Sequence, residues 1–135
     1  MLKLIYTETD LHIELLTIDL EDWLEQRLLF SNSTGENFFL SPETASFLLP
    51  AAICEATAVN FYLHHQGATT VTANHCDLDS IEIGLTGYWL ATDPDSDRGV
   101  FVAQLLDRVE FYLWQLWCSG NSHSGNNLRV PTDLR

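Results

Sequence analysis

The residues best equipped for chemistry in this chain are Asp93, Asp95 and Asp97, three carboxylates at alternate positions of the stretch Asp-Pro-Asp-Ser-Asp-Arg-Gly. A hard cation such as calcium needs several oxygens converging from one turn, and this is the opening rhythm of a calcium loop. The rest of that motif is missing. Glycine arrives at the seventh position (Gly99) instead of the sixth, Pro94 stiffens the turn, and Gln104 stands where the bidentate glutamate belongs. The default reading is a solvated loop between two strands, with Asp93, Asp95 and Asp97 as the candidates for a metal site.

A second group comprises His64, His65, His75, Cys76, Asp77 and Asp79. Imidazole and thiolate suit zinc, and the same residues offer a Cys76 nucleophile, a His64 or His75 base and an Asp77 or Asp79 orienter. Spacing supports neither arrangement. No ligand pair two to four residues apart recurs elsewhere, and neighbours in a strand point to opposite faces. Phosphate binding lacks its signal as well, because Gly84, Gly87 and Gly99 are separated by strand-like sequence and none precedes a lysine. No serine is flanked by glycines at two residues on either side, so a hydrolase elbow is absent. Metal-dependent or cysteine-dependent catalysis is therefore not expected, and no cofactor is expected. A hydrolase or metal enzyme built on residues 64–79 or on the aspartate loop is the alternative.

The elements that must position these residues follow from pattern. Leu2 to Thr7 and Leu11 to Leu16 are short runs of β-favouring and aliphatic residues around Glu8-Thr9-Asp10, which predicts a hairpin. Asp19 stands where a helix cap belongs, and Leu20, Trp23, Leu24, Arg27 and Leu28 trace one face of a helix near 20–30. Phe38 to Leu40 reads as a short strand. Ser41-Pro42-Glu43 then supplies an N-cap, a first-turn proline and an acid at the helix N-terminus. Ala45, Leu48, Leu49, Ala52, Ile53, Ala56 and Leu63 keep helical spacing, which predicts a helix over 42–65, kinked or divided at Pro50 and closed by Gly67. From Thr69 the pattern turns to β. Thr70 to Thr72 comes first, then Ser80 to Leu90 with alternating Ile81, Ile83, Leu85 and Trp89, and the aspartate loop joins this strand to Val100–Ala103 as a second hairpin.

The last element starts like a helix, with Asp107 and Glu110 at cap spacing and Gly120 placed to stop it. It then leaves little polar face. Val109, Leu113, Leu116 and Trp117 form one stripe, and Phe111, Trp114 and Cys118 form another. Either this is a central core helix or a partner covers part of it, in which case Phe111, Tyr112, Trp114 and Trp117 are the candidate interface residues. Beyond it the Ser/Gly/Asn tract from Ser119 predicts a flexible tail. The expected architecture is α+β: a single domain over 1–118 with an antiparallel sheet of two hairpins plus short strands, about three helices covering one face, and a tail over 119–135.

At 135 residues the chain fits one domain able to bury a sizeable core, and 46% hydrophobic with 19% charged residues is ordinary for a globular protein. Nineteen acidic residues against six basic ones give a net charge of −13, which repels nucleic-acid phosphates and anionic lipid. The basic residues are also scattered, so no nucleic-acid partner is expected. Neither is a membrane, because no apolar run approaches the roughly 20 residues a spanning helix needs. Three cysteines without close spacing fit a reducing, cytoplasmic setting.

The string Ser-Pro-Glu-Thr-Ala-Ser-Phe-Leu-Leu-Pro (41–50), Gly-Tyr-Trp-Leu (87–90), Gly-Val-Phe-Val (99–102) and the aromatic C-terminal helix together resemble a family of small cyanobacterial proteins of unknown function. The resemblance covers Met1 to Cys118. It implies a cyanobacterial cytoplasm, carries packing and turn residues, and transfers no active site. The expectation for function is a small acidic binding or regulatory protein that works through contact with a protein partner or a second copy of itself.

Overall fold

The computed structural model describes residues 1–7, 10–35, 38–91 and 99–124. In chain order they form β1 (Leu2–Tyr6), β2 (Leu11–Leu15), α1 (Leu20–Thr34), β3 (Phe39–Pro50), α2 (Ala56–His65), β4 (Val71–His75), β5 (Ser80–Ala91), β6 (Gly99–Ala103) and α3 (Asp107–Ser124). The protein is α+β, with a six-stranded antiparallel sheet ordered β2-β1-β6-β5-β3, and with β4 also paired to β5. β5 organises it. One side of β5 pairs along its whole length with β3, from Phe39↔Ala91 to Pro50↔Ser80. The other side pairs first with β4 (Val71↔Leu85 to His75↔Ile81) and then with β6 (Tyr88↔Val102 to Leu90↔Val100). Gly87 lies between those two pairings. A side chain there would overlap the Val102 carbonyl oxygen and the Phe101 ring, so only glycine lets β6 approach.

Both expected hairpins are present: β1 with β2 (Leu2↔Leu15 to Tyr6↔Leu11) and β5 with β6. The stretch 41–50 is not a helix, and this is the main correction to the sequence pattern. It continues the expected short strand as β3, with Ala45, Phe47 and Leu49 buried on one face. The local helix-start signal at Ser41-Pro42-Glu43 competes with twelve-residue pairing to β5, and the ladder prevails. Pro42 and Pro50 are an even number of residues apart, so both can face away from β5, where no N–H is needed. They also blunt the free edge of the sheet. A turn at Ala51–Ile53 then leads into α2, which is only ten residues long. Gly67, at φ 76°, closes it as expected: Gly67 N–H donates to the His64 carbonyl at 3.0 Å and Ala68 N–H to the Leu63 carbonyl at 2.9 Å. Asn60 on α2 protects the edge of β4, since its amide both donates to the Ala73 carbonyl and accepts from Ala73 N–H.

The helices do not all cover one face. Val59 and Leu63 of α2 and Val109, Leu113 and Trp117 of α3 join Leu2, Leu4, Phe47, Ile83 and Phe101 in the main core. α1 packs on the opposite face. Its Trp23 meets Met1, Leu90 and Val102 in a second cluster, and its ring lies beneath the Lys3 ammonium (5.7 Å) and the Arg27 guanidinium (5.0 Å). The alternation of β1 explains this, because Lys3 projects from the face opposite Leu2 and Leu4. α1 runs through Thr34 and ends at Gly35, φ 75°, a left-handed position that glycine fills without strain.

Candidate surface at the start of α3

α3 resolves the apparent surplus of apolar residues by dividing it. Val109, Leu113 and Trp117 are buried, and Trp117 meets Phe47 edge-on at 5.8 Å between ring centroids. Gly120 continues that stripe instead of stopping the helix, which runs to Ser124 and makes 119–124 helical, not tail. A Cβ at Gly120 would stand 3.0 Å from Pro50 Cδ, so the glycine serves close approach between helix and strand. Residues 125–135, the remainder of the expected tail, lie outside the described residues.

Of the four candidate interface residues, Trp117 is therefore interior, only 4% exposed. Tyr112 is half-buried and faces α2, its ring 4.0 Å from that of Tyr62. Burial pushes its hydroxyl pKa up, with Cys54 and Tyr62 adding to the shift. Phe111 remains on the outer side, whereas Trp114 beside it packs against the main core and keeps part of its surface exposed. Phe111 is 48% exposed, Trp114 is partly buried, and their centroids are 6.1 Å apart. Cys118 continues this outer stripe at the surface.

The start of α3 is held by a buried ion pair. The Met1 ammonium donates to Glu110 Oε1 at 2.7 Å and to the Leu16 carbonyl at 3.0 Å. Glu110 Oε2 accepts from Leu105 N–H at 2.8 Å. Glu110 thus reaches back as a first-turn acid should, but past Asp107 to the chain before the helix. Gln104 in the same link reaches the other way, its Oε1 accepting from the first N–H of α1, Leu20, at 2.7 Å. The N-termini of α1 and α3 are thereby brought together around a cavity of about 310 Å³, walled by Leu15, Leu16, Ile18 and Phe111 and by the acids Asp19, Asp107 and Glu110. This convergence pairs residues far apart in the chain, and no local motif announces it.

The other candidates for chemistry are not assembled. His64 and His65 are exposed at the end of α2, while His75, Cys76, Asp77 and Asp79 are exposed around the β4–β5 turn. Asp77 serves that turn, its Oδ1 accepting from Asp79 N–H at 2.8 Å and from the Ser80 hydroxyl at 3.0 Å. Among the described residues no three His, Cys, Asp or Glu side chains are grouped to hold a metal ion. Asp93, Asp95 and Asp97 lie outside the described residues. Burial pushes the thiols of Cys54 and Cys118 above their ordinary range, which opposes thiolate formation at both. No helix among the described residues is long and apolar enough to cross a membrane. A second cleft, about 300 Å³, lies over Gly84 and is edged by Thr44, Thr70, Thr72 and Thr86.

The fold and this surface define a small α+β protein with helices on both faces of an antiparallel sheet. The chain belongs to the Alr0857-like family, whose model matches residues 1–121, through the fourth turn of α3 and its close contact at Gly120. No curated protein and no solved structure matches it.

Proposed function

We propose that the protein is a small binding or regulatory protein that acts by contact with other proteins through the outer side of α3, in a reducing cytoplasmic setting, and not as an enzyme. The observation that carries this reading is the pairing of exposed Phe111 with partly buried Trp114 on a helix whose opposite stripe already fills the core. Two adjoining aromatic rings offer large contact area at small entropic cost, the character of interface anchors. The charge of −13 favours a partner with a basic rim and disfavours nucleic acid and anionic lipid.

The test is a photocrosslinking residue at position 111, with the same residue at exposed Thr57 of α2 as control, combined with sedimentation of the wild type and Trp114→Ala. A discrete crosslinked protein product from position 111, lost in the Trp114→Ala background, is expected. A folded monomer throughout the micromolar range that crosslinks to nothing from position 111 overturns the proposal.

A further inference from the structure

We infer that the cleft over Gly84 binds a small neutral hydroxylated ligand, a monosaccharide or cyclic polyol of one ring. Gly84 sits in the middle of β5, where a glycine weakens the strand and often marks a bulge or a place approached closely by other backbone or by a ligand. It marks no bulge, since the ladder runs in unbroken register past it to β3 on one side and to β4 on the other. Its φ is not positive. No backbone crowds it either: at Gly87 and Gly99 a Cβ would overlap main-chain atoms, but at Gly84 it would meet only the Thr72 hydroxyl at 2.8 Å. What the glycine leaves is open space.

Hydroxyls surround that space. Gly84 is paired with Ser46 and Thr72, and Thr86, the next residue of β5 on the same face, lies between Thr44 and Thr70, its N–H donating to the Thr70 carbonyl at 3.2 Å. Because Ala45, Ala73, Ile83 and Leu85 point into the main core, these five hydroxyls project from the opposite face, that of the cleft. Ser46 is only 1% exposed, and its Oγ has no hydrogen-bond partner. A buried hydroxyl left unpaired is costly, and a ligand hydroxyl set over Gly84, directly across the ladder, supplies what is missing. Glu82 adds a carboxylate that can accept from two neighbouring ring hydroxyls, while each threonine both donates and accepts. No lysine or arginine is among the described residues that line the cleft, and a net charge of −13 disfavours an anion. At about 300 Å³ the cleft stands at the lower end of small-molecule sites, about 300–1,000 Å³, which is room for one ring. It shares no residue with the α3 surface, so either reading stands or falls without the other.

The probes are D-glucose, D-galactose, D-mannose and myo-inositol, each titrated into isotope-labelled protein while backbone amide resonances are followed, with sodium and ammonium chloride titrated alongside. With at least one of the four, saturable shifts centred on residues 44–46, 70–74 and 82–86 are expected, insensitive to salt because the ligand is neutral. Gly84→Ala fills the open space and should weaken that binding by at least about tenfold. Thr86→Val removes one hydroxyl at nearly constant shape and should weaken it about two- to tenfold, the worth of one hydrogen bond. Ser46→Ala should weaken binding by a similar factor, yet leave the protein at least as stable as the wild type, because the orphaned hydroxyl goes with it. Phe111→Ser, on the α3 surface, should leave binding unchanged. No saturable shift at these residues with any of the four probes, undiminished binding by Gly84→Ala, or tighter binding of sodium or ammonium than of every probe overturns the inference.

Discussion

Replacing Glu110 by alanine removes the acceptor for two donors, the buried Met1 ammonium and the partly buried Leu105 N–H. The Glu110 side chain is 3% exposed and the Met1 ammonium fully buried. Without the carboxylate, the ammonium keeps only the Leu16 carbonyl, and Leu105 N–H loses its 2.8 Å acceptor. Breaking a buried pair by deleting one member typically costs about 3–5 kcal/mol, and an orphaned N–H about 1–3 kcal/mol. The two do not add fully, because Leu105 is only partly buried and the adjoining cavity can admit water. A net loss of about 3–5 kcal/mol is expected, a large share of the roughly 5–15 kcal/mol that holds a domain together. Glu110→Gln keeps the size and one acceptor oxygen, and should lose about 2–3 kcal/mol. Urea unfolding followed by tryptophan fluorescence measures both, with an unchanged m-value expected. A Glu110→Ala variant within about 1 kcal/mol of wild type would refute the reasoning, because the pair would then be behaving as a solvated surface contact.

Gly87→Ala should destabilise by more than about 3 kcal/mol, since its methyl overlaps backbone of β6, whereas Gly84→Ala meets only the exposed Thr72 hydroxyl at 2.8 Å, a side-chain atom that can rotate aside, and should change stability by less than about 1 kcal/mol; thermal melts separate the two. Asn60→Ala should cost about 1–3 kcal/mol and speed hydrogen exchange of the Ala73 amide, because both bonds that protect the β4 edge are lost. Stability should fall as pH rises above the ordinary thiol value of 9.0, because burial raises the folded pKa of Cys54 and Cys118, so the unfolded chain releases its protons first. Tyr112 extends the fall above 10.0, and Cys54→Ala should flatten the lower part of the curve in unfolding measured from pH 8 to 11. Alkylation by iodoacetamide should reach exposed Cys76 well before half-buried Cys54.

Much of this fold is legible from local pattern. Alternation in Leu11–Leu15 and over 80–86, turn residues between the paired runs, and apolar residues spaced by three and four on α1 and α3 identify both hairpins and two of the three helices. The candidate surface is only partly legible. The two stripes of α3 follow from its sequence, yet which one is core depends on where the helix lands, and it lands with Val109, Leu113 and Trp117 against the sheet. That placement puts Trp117 in the core, leaves Phe111 exposed and sets Trp114 partly buried against the same core. The acids at the cavity are invisible to a motif search, since Asp19 and Asp107 line one cavity only because Gln104 and Glu110 tie together links distant in the chain.

What the sequence determined by itself is the balance of elements, the acidic surface, and the absence of a recognisable catalytic motif, because these depend on residue types and short-range periodicity. Only the tertiary structure decided the state of residues 41–50. Ala45, Phe47, Leu48 and Leu49 satisfy a helical face and a strand face alike, so their spacing alone is ambiguous. The decision came from β5, some forty residues further on, which offers a full-length partner and turns Ala45, Phe47 and Leu49 into the core. Tertiary contact likewise gave Gly120 its meaning. As an isolated residue it reads as a helix stop, but Pro50 packed 3.0 Å from where its side chain would be makes it a point of close approach between α3 and β3.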